Sequence, residues 1–190
     1  MSLDFVPEKQ IRLGKYVHKL IQTQIYNAKT FEELNECLDG LLPLDLQYLK
    51  WSVYCESNFG CRYPDCVLFF DDKKKRLIYI YILEIKTTSQ PSFYLPLQGV
   101  QFYQYKNGMS QIQDCINALV EITGNNVIVK IYGVILFFSQ SSKTILYKNI
   151  VHKTDHQSDY YSLKKYLRSN INVEFHTFLQ SSNSSRVSRS

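Results

Sequence analysis

Residues 77–86 read Leu-Ile-Tyr-Ile-Tyr-Ile-Leu-Glu-Ile-Lys, and no other stretch constrains the fold as strongly. Strand alternation sends Ile78, Ile80 and Ile82 one way and Tyr79, Tyr81, Leu83 and Ile85 the other. A strand apolar on both faces belongs in the middle of a sheet covered on both sides. The β-rich segment 66–70 precedes it. Between them Asp71-Asp72-Lys73-Lys74-Lys75-Arg76 is charged throughout, which reads as an exposed hairpin turn. The central run ends on Glu84 and Lys86, two charges that a buried strand carries only for a reason.

The remaining pattern supplies the layers. Residues 11–25 carry Ile11, Tyr16, Val17, Leu20, Ile21 and Ile25 at helical spacing. Thr30 and Glu33 form a capping box for a second helix, which Gly40 ends and Pro43 keeps from continuing. Residues 49–56 are β-prone, and Asn58-Phe59-Gly60 is turn chemistry. Pro91 and Pro96 mark a loop before a helix at 98–122, whose stripe is Ile112, Cys115, Ile116, Leu119 and Ile122. Gly124-Asn125-Asn126 stops it. Strands follow at 127–139, with a break at Gly133, and at 144–151, then a short helix at 159–168 and a last strand at 172–179. The order α, α, β, β, β, α, β, β, α predicts an α/β protein, a central mixed β-sheet flanked by helices. It reads as a single domain over 1–180, with a disordered Ser/Arg tail at 181–190.

Composition closes off several classes. At 45% hydrophobic and 21% charged residues the chain is not a disordered one. Its net charge of +5 permits contact with nucleic acid without demanding it. The apolar runs are too short to cross a bilayer, so no membrane insertion is expected. No secretory signal is read at the N-terminus, and a reducing compartment follows. The five cysteines make no CxxC pair. A zinc site from Cys55, Cys61, Cys66 and His18 is conceivable, but small buried thiols are the simpler reading.

The hairpin assembles a site on paper. A turn centred between Lys74 and Lys75 pairs Asp72 with Leu77 and, by continuation, Asp65 with Glu84. Opposite residues share a face with Cβ atoms about 5 Å apart, and Lys86 joins Glu84 on that face. Two buried carboxylates repel unless a proton or a cation neutralises them, and Mg²⁺ with hard oxygen ligands does so. The alternative is that Glu84 and Lys86 form a solvated strand end.

Asp65, Glu84 and Lys86 in this order resemble the motif of the PD-(D/E)XK nuclease superfamily. A longer string is similar to the conserved herpesvirus nuclear proteins of the unique-long-twenty-four type. It comprises Cys55-Glu56, Gly60, Arg62, Pro64-Asp65-Cys66, Glu84-Ile85-Lys86-Thr87, Gln104, Gly108-Met109 and Gln111. The likeness runs from Gly14-Lys15 to Val134-Ile135-Leu136-Phe137.

The resemblance implies a restriction-endonuclease-like core in which Asp65, Glu84 and the Ile85 carbonyl ligate Mg²⁺, with Mn²⁺ able to substitute. Lys86 would position or deprotonate the attacking water and offset transition-state charge. Glu56 would be a further acidic contributor or else the ion-pair partner of Arg62. Gln111, and less directly Gln104, would face the site from the next helix. It also implies residence in the host nucleus and nucleolus, with host cytoplasm and virion as further locations, dispersal of nucleolar proteins and disturbance of the host cell cycle. The implied partners are nucleic acid, DNA or RNA, and host nucleolar or nuclear proteins. The alternative is a catalytically silent nuclease fold that binds those partners. Functions assigned to the longer basic C-terminal extensions of family members are not carried over. Lys73-Lys74-Lys75-Arg76 resembles a nuclear-import signal, or is a solvated turn that discourages edge pairing. Tyr94, Phe102, Tyr103 and Tyr105 beside Lys106 could stack bases or fill the core.

Overall fold

In the computed structural model, which describes residues 7–60, 62–93 and 99–171, the doubly apolar run is β3 (Leu77–Thr88), the middle strand of a five-stranded sheet. The other strands are β1 (Lys50–Cys55), β2 (Cys66–Asp72), β4 (Val127–Ser139) and β5 (Ile145–Ser158), in the spatial order β1-β2-β3-β4-β5. Pairing is antiparallel except between β3 and β4, which run parallel. Parallel neighbours need a crossover, and α3 (Gly99–Val120) makes it. The helices α1 (Glu8–Asn27) and α2 (Phe31–Cys37) precede the sheet, and α4 (Tyr160–Ser169) follows it.

Both faces of β3 are covered, as its composition requires. Tyr81, Leu83 and Ile85 pack under α1 and α2 with Val17, Ile21, Ile25 and Leu34. Ile78, Ile80 and Ile82 pack under α3 and α4 with Ile112, Ile116, Leu163 and Leu167. The predicted register holds without a bulge, from Asp72 opposite Leu77 to Cys66 opposite Leu83. Asp65 and Glu84 are the next step of that ladder.

Several local predictions are met by specific bonds. The Thr30 hydroxyl accepts from the Glu33 amide at 3.2 Å, while the Glu33 carboxylate takes the Lys29 N–H, one residue earlier than a capping box expects. Asp159 caps α4 through the Ser162 amide. Two expectations need correction. Gly133 does not break its strand; it sits at a bulge inside continuous β4, where a Cβ would lie 2.2 Å from Ile112 Cγ2. β5 continues to Ser158 instead of ending at 151. Its second half is polar and pairs through backbone along the sheet edge, so no apolar period announced it. The predicted strand at 172–179 and the tail at 181–190, with Cys61, Tyr94 and Pro96, lie outside the described residues. Among the described residues no helix is long and apolar enough to cross a membrane.

Candidate active site

The β1–β2 ladder ends with Cys55 opposite Cys66, and the Glu56 amide still donates to the Asp65 carbonyl one step further. Glu56 and Asp65 therefore leave the sheet side by side. Glu56 does so with φ at +52°, a left-handed conformation that a non-glycine residue adopts at a cost. On the other side of Asp65, β3 runs past the end of β2. Asp65 Oδ2 takes over there, accepting the Ile85 N–H at 2.6 Å. In an extended strand a residue's N–H and C=O point to the same edge, so the Ile85 carbonyl also faces Asp65.

Glu84 lies on the α3 face and is only 2% exposed, so the solvated-end reading does not hold. Its Oε1 accepts from Lys86 Nζ at 2.5 Å, and the same ammonium donates to Gln111 Oε1 at 3.2 Å. Helix α3 comes this close because residue 108 is glycine: a Cβ there would sit 3.3 Å from Glu84 Cγ and 3.5 Å from Lys86 Cε. Gln111 is one helical turn further on.

From the α1 face, His18 Nε2 stands 3.1 Å from Asp65 Oδ1. Four residues along, Gln22 is fully buried, and its Nε2 donates to Glu56 Oε1 at 3.0 Å and to the Asp65 carbonyl at 3.1 Å. Gly14, one turn before His18, admits the end of β3, since a Cβ would meet Gln140 Nε2 at 2.8 Å and Thr87 Oγ1 at 2.9 Å. A cleft of about 750 Å³ opens here, between Gly14, Lys15 and His18 on one wall and Gln101 and Gln104 on the other, with Lys86 in its lining.

The electrostatics follow from burial. Burial first, and Asp65 second, push the Glu84 carboxyl up to about 8, against the pull of Lys86 and His18. Burial by itself would lower the His18 imidazole, but the charge and hydrogen bond of Asp65, helped by Glu84, outweigh it and raise it above 6.5. The site is short of positive charge. Two groupings could hold a cation: the Asp65–Glu84 pair, and His18, Glu56 and Asp65, whose ligand atoms all lie within 4.8 Å of one another.

The structure thus brings Asp65, Glu84, Ile85, Lys86, Glu56 and Gln111 together, and puts Gln104 on the cleft wall. Glu56 meets Gln22, while Arg62 reaches across to Asp114 at 2.8 Å. Cys55 and Cys66 are buried with their sulfurs 2.8 Å apart, and His18 faces Asp65. Tyr105 belongs to the core with Tyr147, whereas Phe102 and Tyr103 are exposed and Lys106 lies over the Phe102 ring. Sequence reasoning missed Gln22, and treated His18 only as a possible zinc ligand. Their signal was the line Gly14, His18, Gln22 at spacing four, running beside the apolar stripe of α1.

The family described as herpes virus proteins UL24 and UL76 matches residues 4–178. The chain is similar to the protein UL24 homolog of Elephantid herpesvirus 1 (isolate Asian elephant/Berlin/Kiba/1998), 36% identical over 183 residues, covering 96% of this chain and 79% of that protein. It is 35% identical over 147 residues to the homolog of Human herpesvirus 7 (strain JI) and 31% over 150 residues to that of Human herpesvirus 6A (strain Uganda-1102). Each of these covers 74% of the chain, which spans 62% and 58% of those two proteins. No solved structure matches it.

Proposed function

We propose that this chain, which belongs to the herpesvirus UL24 and UL76 family, is built around a Mg²⁺-dependent phosphodiesterase centre of the PD-(D/E)XK kind. One observation carries the reading. An unbulged hairpin holds Asp65 and Glu84 on one buried face with the Lys86 ammonium beside them. The donor set suits the ion: hard carboxylate oxygens in a corner where Glu84 is held near 8 for want of positive charge. Asp65 and Glu84 would hold it, with the Ile85 carbonyl. When bound, Mg²⁺ supplies charge to the scissile phosphate and acidity to a water.

The chain's own residues do the rest. Lys86 Nζ stands where it positions the attacking water and offsets charge that grows on the phosphorus oxygens. Gln111 and Glu84 fix its direction. His18 and the Ile85 N–H orient the two oxygens of Asp65. The cleft between α1 and α3 admits the nucleic-acid strand. Host nuclear and nucleolar residence belongs to the same proposal, and the exposure of Lys73, Lys74, Lys75 and Arg76 at the hairpin tip is compatible with import.

One observation favours a second reading, a catalytically silent interaction protein. Lys86 is already engaged by both Glu84 and Gln111. Cleavage of plasmid DNA and of RNA in Mg²⁺ and Mn²⁺ separates the two. Asp65→Ala and Glu84→Ala should abolish it with the circular dichroism spectrum unchanged. A wild type inert in both metals, or variants that cleave equally well, would sink the enzyme and leave the interaction reading.

A further inference from the structure

We infer that His18, Glu56 and Asp65 form a second cation position that shares Asp65 with Glu84 and takes a divalent first-row transition ion in preference to Mg²⁺. It goes beyond the phosphodiesterase reading and does not depend on it. The three side chains come from three elements: α1, the residue after β1 and the residue before β2. Their ligand atoms lie within 4.8 Å of one another, with His18 Nε2 and Asp65 Oδ1 3.1 Å apart. An octahedral ion with bonds of about 2.1 Å holds neighbouring ligands about 3 Å apart and opposite ones about 4 Å apart. The spacing is that of a coordination sphere before the ion draws it in.

Gln22 is the independent observation. Its side chain is fully buried against Glu56 and Asp65, its Nε2 serves both, and its Oε1 has no partner. An amide oxygen left unpaired in the interior is unfavourable. A cation among these groups gives it one, directly or through a coordinated water. Charge points the same way. Lys86 already supplies an ammonium to Glu84, whereas the Glu56–Asp65 side has His18, whose proton stands where a metal–nitrogen bond would form. The imidazole sets the preference: Mg²⁺ favours oxygen, and affinity for nitrogen rises along the first-row series.

Mn²⁺ is the probe, added at one equivalent to the full chain. Pulsed electron paramagnetic resonance of the wild type should show nitrogen-14 modulation from a coordinated imidazole. His18→Gln should lose it and weaken Mn²⁺ binding at least about tenfold, while calorimetric Mg²⁺ affinity moves less than about twofold. The modulation should survive Glu84→Gln and the double variant His152→Gln/His156→Gln. A wild type that binds no Mn²⁺, or binds it without nitrogen modulation, overturns the inference, as does modulation that persists in folded His18→Gln. Should His18→Gln fail to fold, the wild-type spectrum and a matching affinity loss in Glu56→Gln decide. Absence of nuclease activity with the nitrogen signal intact would remove only the phosphodiesterase reading.

Discussion

Glu84 holds its proton far more tightly in the folded chain than in the unfolded one, and pH exposes the difference. Folded, it titrates near 8; unfolded, near its ordinary 4.5. Between those values the native state binds more protons, so stability falls as pH rises through the window. His18 acts in the same direction. Its folded value is raised, so the stability it adds is full below 6.5 and is lost as pH climbs through the folded value. The melting temperature of the metal-free protein is therefore expected to drop between about pH 5 and about pH 8, and Glu84→Gln should flatten most of the slope. Calorimetric melts across that range check it; a melting temperature that rises with pH would contradict the assignment. The residues behind this behaviour were unequally legible. Asp65, Glu84 and Lys86 stand out because charges at the end of an apolar strand are conspicuous. Gln22 and His18 do not, since a polar residue on a helix looks solvated until its neighbours in space are known.

At the scale of elements, the β2–β3 hairpin could be read in full because its turn is charged and its strands have a strict period of two. β4 could be read only in part. The sequence places a glycine at 133, and a lone strand glycine suggests either a break or a close approach. The close approach is what α3 makes, with Ile112 filling the space above it. Gly133→Ala should cost about 2 kcal/mol in urea unfolding, because the new methyl overpacks a contact between helix and sheet. A change under about 0.5 kcal/mol would mean that α3 shifts freely over the strand. The polar second half of β5 was invisible for a different reason: an edge strand answers to the hydrogen bonds of its neighbour more than to its own hydrophobicity.

At the scale of the whole molecule, α1 and α3 lie on opposite faces of the sheet and meet the end of β3 from both sides. The cleft and the carboxylates between them belong to neither helix alone. A cation bound there links elements from residue 18 to residue 86, so it should act on global stability. Mg²⁺ at about a hundred times its dissociation constant should add about 2.7 kcal/mol. For a chain of this size that is a rise of about 5–10 °C in melting temperature. Asp65→Ala should show no such rise under scanning calorimetry. A shift of equal size in that variant would place the ion elsewhere.

The sequence by itself determined the central strand, its hairpin partner, their register and hence the meeting of Asp65 with Glu84. All of these follow from short-range periodicity and turn length. Tertiary structure alone decided that Glu84 is buried, that Lys86 is gripped by Gln111, and that His18 and Gln22 close on Asp65 and Glu56. Those contacts join residues separated by tens of positions, with Gly108 and Gly14 setting how near the helices come. No local pattern encodes the distance between two packed surfaces; only the completed core does.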